Sequence, residues 1–355
     1  MSILCSVTLR VLLPALVLFG LLAGGPAPAE IVKPPALQPG GTVALVAPAR
    51  PQSETVVARV ETLLGEQGYT VLRAPNVTTN WGGFAGTDEE RAEILMDMWR
   101  NPEVDALFSV TGGYGTTRMV DQLDFDYIRE NPKILAGFSD ITGLHLAIYR
   151  KAGIVTFHSP NTSWVYGRAE EERPFAVEAF WRAIAAESYP TGSEAAPGWT
   201  IPLSEPSTPV ETISPGRATG RLVGGNLSLV HALMGTPYEI ETRGHILFLE
   251  DVNEAAYRID RMLSTLRLAG KLDEVEGVVL GRFTRVGDED YEDRFTAREV
   301  FEQYFADRPY PVVYNFPTGH VQDNAALPIG VLAELDAGAG TLTLLEDPVT
   351  LPEEE

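Results

Sequence analysis

Apolar residues along this chain fall into two recurring patterns, short near-continuous runs and runs spaced three and four apart. Mostly apolar runs at 42–47, 106–110, 133–136 and 154–157 predict strands buried on both faces. Between the first two, Val56, Val57, Val60, Leu63 and Leu64 mark one face of a helix over 53–67. Thr87-Asp88-Glu89-Glu90 reads as a capping box, opening a helix that runs towards Trp99. Helical spacing returns at 141–149. Strands separated by helices imply a parallel sheet covered on both faces, with its ligand site beyond the carboxyl ends of the strands.

The pattern changes at 189–216, where proline, serine, glycine and threonine dominate and periodicity fades. That stretch predicts a boundary: a first domain over 41–190, a linker over 191–216 and a second domain over 217–350. The second half mixes strands at 245–249, 277–280, 312–316 and 341–345 with helices at 227–234, 256–268 and 296–305. The predicted class is α/β, an N-terminal Rossmann-like parallel sheet followed by a mixed α/β domain. The chain shows no internal repeat.

Composition narrows the partners. With 355 residues there is length for two cores, and 45% apolar with 21% charged residues is ordinary for a globular protein. A formal net charge of -22 and the lack of a basic stripe argue against nucleic acid as a partner. The first 29 residues read as a secretory signal peptide: Arg10 supplies the positive charge, 11–23 the apolar run, and Ala27-Pro28-Ala29 the cleavage site before Glu30. The expected location is the periplasm or another exported compartment. The only cysteine, Cys5, precedes the apolar run, so the mature chain would carry no disulfide and no thiolate nucleophile or ligand. Glu353-Glu354-Glu355 reads as a solvated tail.

The candidate chemistry begins at Gly137-Phe138-Ser139-Asp140-Ile141-Thr142, where a predicted strand turns into a predicted helix. A serine there projects its hydroxyl out of the sheet at a helix N-terminus, as in a nucleophile elbow. The Gly-x-Ser-x-Gly signature is not met, since Ile141 stands in place of the second glycine, and Ser139 also fits a plain helix cap. Thr111-Gly112-Gly113-Tyr114-Gly115 follows the 106–110 strand and reads as a turn, a phosphate loop or an oxyanion hole. The phosphate-loop reading lacks the Gly-Lys-Ser/Thr that should follow. Glu250-Asp251 closes another strand, where a carboxylate can orient an imidazole or simply line an acidic loop. Of the five histidines, His145 and His231 sit in helical patterns that suit a core histidine. His158 and His320 both stand at strand ends, and spacing alone leaves them level as a catalytic base. The HExxH and clustered His/Asp spacings of metal sites are missing.

These pieces together resemble the LD-carboxypeptidase family, serine peptidases that include the muramoyltetrapeptide carboxypeptidases and the microcin C resistance branch. The resemblance rests on Phe84-Ala85-Gly86-Thr87-Asp88-Glu89-Glu90-Arg91, Gly112-Gly113-Tyr114-Gly115, Gly137 to Thr142, Gly224-Gly225-Asn226-Leu227, Leu249-Glu250-Asp251 and Gly319-His320. They stand in the family order and reach across nearly all of 41–345. The resemblance implies Ser139 as nucleophile, His320 as general base and Glu250 as the residue that orients it. It also implies an oxyanion hole from the N–H groups of Gly113 and Asp140. In one respect the chain departs: the family has arginine directly before Gly-Gly-Tyr-Gly, and Thr111 stands there. The implied substrate is the peptidoglycan stem tetrapeptide, cut between an L-configured diamino acid and terminal D-alanine, with no metal and no cofactor. A peptidyl-nucleotide substrate and a non-catalytic periplasmic binding protein are the alternatives, and a homodimer is left open.

Overall fold

The computed structural model describes residues 30–167, 173–185, 199–202, 206–286 and 295–351. The signal peptide with Cys5, residues 191–198 and 203–205 of the expected linker and the terminal glutamates lie outside them.

The first half alternates strand and helix. β1 (Thr42–Val46) leads to α1 (Glu54–Glu66), β2 (Thr70–Arg73) and α2 (Asp88–Arg100). β3 (Ala106–Ser109), α3 (Phe125–Glu130), β4 (Ile134–Gly137) and α4 (Thr142–Ala152) follow. β5 (Thr156–His158), α5 (Thr162–Tyr166) and α6 (Pro174–Ile184) complete it. The capping box predicted from sequence is formed, and the structure adds a serine cap before α1. Ser53 accepts from Val56 N ahead of α1, and Thr87 and Glu90 make the reciprocal capping box of α2. β3 and β4 are buried at every position, as continuous apolar runs require.

The second half begins with β6 (Thr200–Ile201), β7 (Glu211–Ser214), β8 (Arg217–Asn226) and α7 (Leu227–Ala232). It continues through β9 (His245–Val252), α8 (Ala256–Leu268), β10 (Gly277–Thr284), α9 (Ala297–Phe305) and β11 (Val312–Tyr314). β12 (Leu327–Ile329), β13 (Leu332–Asp336) and β14 (Thr341–Leu344) end it. An eight-stranded mixed sheet runs β6-β14-β13-β8-β9-β10-β11-β7, with its central strands β8 to β11 parallel.

The first sheet has the order β12-β5-β4-β3-β1-β2. Its five early strands are parallel, and β12 joins from the far end of the chain as an antiparallel edge beside β5. The same core ties the halves together. Leu222, Ile246, Phe248 and Val279 of the second sheet share it with Leu107, Leu135 and Ile148. A second cluster, built from Leu227, Ile259, Leu263, Phe301 and Val278, lies under α7, α8 and α9.

β8 was not legible as a strand because three glycines interrupt it, and those glycines answer to tertiary contacts. A Cβ on Gly224 would fall 1.9 Å from the carbonyl oxygen of Phe248 on β9. One on Gly225 would fall 2.6 Å from the side chain of Thr142 at the start of α4. Close approach of β8 to both neighbours therefore demands glycine.

Candidate active site

β4 ends at Gly137, and the chain turns sharply through Phe138 and Ser139 into a 3₁₀ turn, Ser139–Ile141, that feeds α4. Ser139 has φ +65°, a left-handed conformation that a residue with a Cβ adopts at a cost of about 1–2 kcal/mol. Its surroundings hold it there. Phe138 N donates to Asn161 Oδ1 at 3.3 Å, and Asn226 N donates to Thr142 Oγ1 at 3.0 Å, which ties the start of α4 to the end of β8. A Cβ on Gly137 would meet Ser109 and Asn161 at 2.9 Å, so the corner closes only with glycine before Phe138.

The loop after β3 packs against this corner. A Cβ on Gly112 would lie 2.9 Å from Ser139 Cβ and 3.1 Å from its Oγ. Asp140 clamps the two segments: its carboxylate accepts from Thr116 N at 2.9 Å and its carbonyl from Thr116 Oγ1 at 2.6 Å. Burial pushes the Asp140 carboxyl up, partly offset by the Thr116 hydrogen bonds. The sequence pointed to Asp140 for its backbone N–H; the clamp made by its side chain became visible only in the structure.

Glu250 lies on β9 and is fully buried, and His320 follows β11 and Gly319 in a loop. His320 Nδ1 stands 2.8 Å from Glu250 Oε2, and Nε2 stands 3.2 Å from Ser139 Oγ. A carboxylate can only accept, so the proton of neutral His320 sits on Nδ1 and the lone pair of Nε2 faces the hydroxyl. Burial by itself would lower the His320 pKa, but the charge and hydrogen bond of Glu250 outweigh it and the net shift is upward. Burial works to raise Glu250, and the His320 partnership reverses it, so the carboxyl stays below its ordinary range. A Cβ on Gly319, which has φ +116°, would press to 2.9 Å from Glu250 Oε2, so a side chain there would drive His320 off its partner. Gly319 N donates to Asn324 Oδ1 at 2.9 Å, and Trp164 Nε1 donates to Val321 O at 3.2 Å, which pins the loop on both sides of His320. Phe138 lies against the imidazole with ring centres 4.7 Å apart.

Behind Glu250 is a polar network that motif reading did not reach. Asn226 Nδ2 donates to Glu250 Oε1 at 3.3 Å and to Asp251 Oδ1 at 2.9 Å. Asp251 also accepts from Val252 N and from both the N–H and hydroxyl of Ser228. Burial, and then the charge of Glu250, push the Asp251 carboxyl up to about 6. The Gly-Gly-Asn-Leu string was the one available sequence signal, and it marks Asn226 without revealing its partners.

The other histidines are elsewhere or differently engaged. His158 is fully buried, and among the described residues neither ring nitrogen has a hydrogen-bond partner. Burial lowers it to about 4. His145 Nε2 donates to Gly137 O at 2.8 Å, and burial lowers it to about 3. His231 and His245 bond to Thr265 and Tyr149, away from Ser139. Among the described residues no group of three or more His, Cys, Asp or Glu side chains is arranged to hold a metal ion. Chemically, the arrangement is a hydroxyl, an imidazole and a buried carboxylate in series, the parts of an activated nucleophile.

Comparison with known proteins follows the same outline. Residues 43–159 match the LD-carboxypeptidase N-terminal domain and residues 219–335 the LD-carboxypeptidase C-terminal domain. A "probable murein peptide carboxypeptidase" of Bacillus subtilis (strain 168) is 36% identical over 88% of this chain and 94% of its own length. The crystal structure of a muramoyltetrapeptide carboxypeptidase from Oxalobacter formigenes superposes with a TM-score of 0.74 at 28% identity, over 88% of this chain and 99% of that one. A microcin C7 self-immunity protein in complex with aspartyl sulfamoyl adenosine has the same fold, with a TM-score of 0.81 at 24% identity, over 90% of this chain and all of its own.

Proposed function

Given that the chain belongs to the LD-carboxypeptidase family, we propose that it is a serine LD-carboxypeptidase that removes terminal D-alanine from peptidoglycan stem tetrapeptides. The observation that carries this reading is the hydrogen-bonded series Glu250–His320–Ser139 with its serine at a left-handed corner.

Ser139 Oγ attacks the carbonyl carbon of the L-configured diamino acid while its proton passes to His320 Nε2. Glu250 holds the imidazole in the required tautomer and stabilises the imidazolium. The N–H groups of Gly113 and Asp140 receive the oxyanion, one from the glycine loop and one from the residue after the nucleophile. Collapse breaks the C–N bond, and the departing amine of D-alanine takes the proton back from His320. Water, deprotonated by His320, then attacks the acyl-enzyme and releases the shortened peptide and Ser139. The chain acts after export, released by cleavage before Glu30, where peptidoglycan and its fragments are found.

Mass spectrometry of muropeptides incubated with the protein tests the reading. Loss of one alanine from tetrapeptides is expected, with no loss when L-alanine replaces the terminal D-alanine. A serine-directed acylating reagent should label Ser139; an unlabelled, inactive protein would point to a binding protein. N-terminal sequencing of the secreted form should begin at Glu30. The fold shared with the microcin C7 self-immunity protein favours a second reading, hydrolysis of a peptidyl nucleotide, and the same mass spectrometry on an aminoacyl sulfamoyl nucleoside decides it.

A further inference from the structure

A carboxypeptidase must distinguish a chain end from a chain interior, and the mark of the end is a free carboxylate. The loop that faces Ser139, Thr111-Gly112-Gly113-Tyr114-Gly115, carries no charge to read it. A cation reaches that loop from another part of the fold. Arg50 lies a few residues beyond the carboxyl end of β1, on the side where a parallel sheet binds its ligand. A Cβ on Gly113 would lie 2.8 Å from both Cγ and Cδ of Arg50, so the arginine stem rests directly on that glycine. The preceding residue, Gly112, is the one that packs on Ser139. Adjacent α-carbons are about 3.8 Å apart, so a single peptide unit separates the arginine stem from the nucleophile's contact.

Arg50 is also unengaged. It is exposed, and among the described residues its guanidinium has neither a hydrogen bond nor an ion pair, in a chain with 49 acidic residues to 27 basic ones. Its cationic neighbours are committed: Arg91 is buried against Pro48 O, Gly115 O and Asp88, and Arg118 pairs with Asp88. On the imidazole side, Arg282 is half-occupied by Thr208 O. Arg285 is exposed and unpaired among the described residues, and its charge is felt at His320, on the imidazole side of the site.

We propose that Arg50 determines specificity for the chain end, pairing its guanidinium with the free carboxylate of the substrate's terminal residue. This rests on the carboxypeptidase reading above. The terminal carboxylate stands one residue past the scissile bond, at most about 3.6 Å further along, within the span of an arginine that lies on an oxyanion-loop glycine. A planar guanidinium meets a carboxylate with two parallel hydrogen bonds, which aligns the leaving residue as well as holding it. Arg50 thus supplies from the loop after β1 the charge that Thr111 does not supply from the glycine loop.

The test uses the full chain and two synthetic tetrapeptides ending in an L-diamino acid and D-alanine, one with a free C-terminus and one as the C-terminal amide. Wild type should prefer the free acid by about a hundredfold. Arg50→Met should raise KM for the acid by a similar factor with kcat nearly unchanged, leave the amide unaffected, and so abolish the preference. Arg50→Lys, which keeps the charge and loses the fork, should restore part of it. An Arg50→Met protein that keeps the acid preference overturns the proposal, as does equal loss on both peptides, which would mean that Arg50 only braces Gly113. Collapse of the preference in Arg285→Met instead would assign the carboxylate to that arginine. A wild-type protein that cuts neither peptide overturns the carboxypeptidase reading itself.

Discussion

The end of β5 and the loop beyond β11 each bring a histidine close to Glu250, and the two are chemical opposites. His158 at the end of β5 is sealed from solvent, faces Phe138 and Phe248, and has no hydrogen-bond partner for either ring nitrogen among the described residues. Burial dominates, and the charge of Glu250 offsets it only in part, so the ring is held neutral down to about pH 4. The side chain of His320 keeps 14% of its surface exposed and touches Glu250 on one nitrogen and Ser139 on the other. Burial lowers it too, but a direct carboxylate contact reverses the sign. Proximity to a carboxylate is therefore not enough to raise a buried histidine's pKa; the ring that hydrogen-bonds to Glu250, with its second nitrogen aimed at the hydroxyl, is the one whose pKa rises.

The largest expected effect separates the two histidines. His320→Ala and Ser139→Ala should each lower kcat/KM by about ten-thousandfold or more, because members of such a unit act together. His158→Phe, which keeps a ring between Phe138 and Phe248, should stay within about tenfold of wild type. Steady-state kinetics on the tetrapeptide, with circular dichroism to verify folding, reads both. A His158→Phe protein as inactive as His320→Ala would break the distinction.

Glu250→Gln should cost about a thousandfold and also move the pH profile. Under the proposed mechanism His320 acts as base only when neutral, and its pKa is raised from the ordinary histidine value, so the wild-type rate should rise with pH through a limb displaced upward from that value. Removing the carboxylate charge leaves burial as the main influence, which lowers the pKa, so the limb should shift to lower pH. An unmoved limb would show that another group sets it.

Asn226→Ala removes the amide that bridges Glu250 and Asp251. Two buried carboxylates lose a donor, and the expected cost is about 1–3 kcal/mol of stability in denaturant unfolding. A smaller effect, close to tenfold, is expected in rate. Full activity with full stability would show that the network behind Glu250 is redundant.

The smallest effect concerns pH and stability. In the unfolded chain a histidine takes up its proton near pH 6.5, whereas folded His158 does so only near 4. Between these values the unfolded state binds more protons, so stability falls as pH falls, by up to about 1.4 kcal/mol per pH unit. His158→Phe removes that contribution and should flatten the acid side of the stability curve relative to wild type. Parallel curves would mean that folded His158 titrates like a solvated histidine.

Much of the scaffold was legible in local pattern. The apolar runs that became β1, β3 and β4, the threonine capping box of α2, and the spacing that became α8 over Ala256–Leu268 each depend on neighbouring residues alone. Elements whose reasons lie elsewhere in the fold were not. β2 is an edge strand with no fully buried position, and β8 is broken by glycines placed for contacts with Phe248 and Thr142. β9 runs past its apolar stretch to Val252, because the polar Glu250 and Asp251 are buried by partners distant in sequence.

The candidate site divides along the same line. Ser139 was recognisable because a strand, a glycine and a helix start adjoin it, and a corner is a local object. Spacing left His320 and His158 level, and only the fold shows which of them contacts both Glu250 and Ser139. His320 lies 181 residues from Ser139 and 70 from Glu250, and only the order of strands in the two sheets brings these three within hydrogen-bond reach. Hydrophobic periodicity decides which face of an element is buried. What that face, or a loop at its end, comes to touch is decided by sheet order and close packing, and so are the left-handed Ser139 and the sign of the His320 pKa shift.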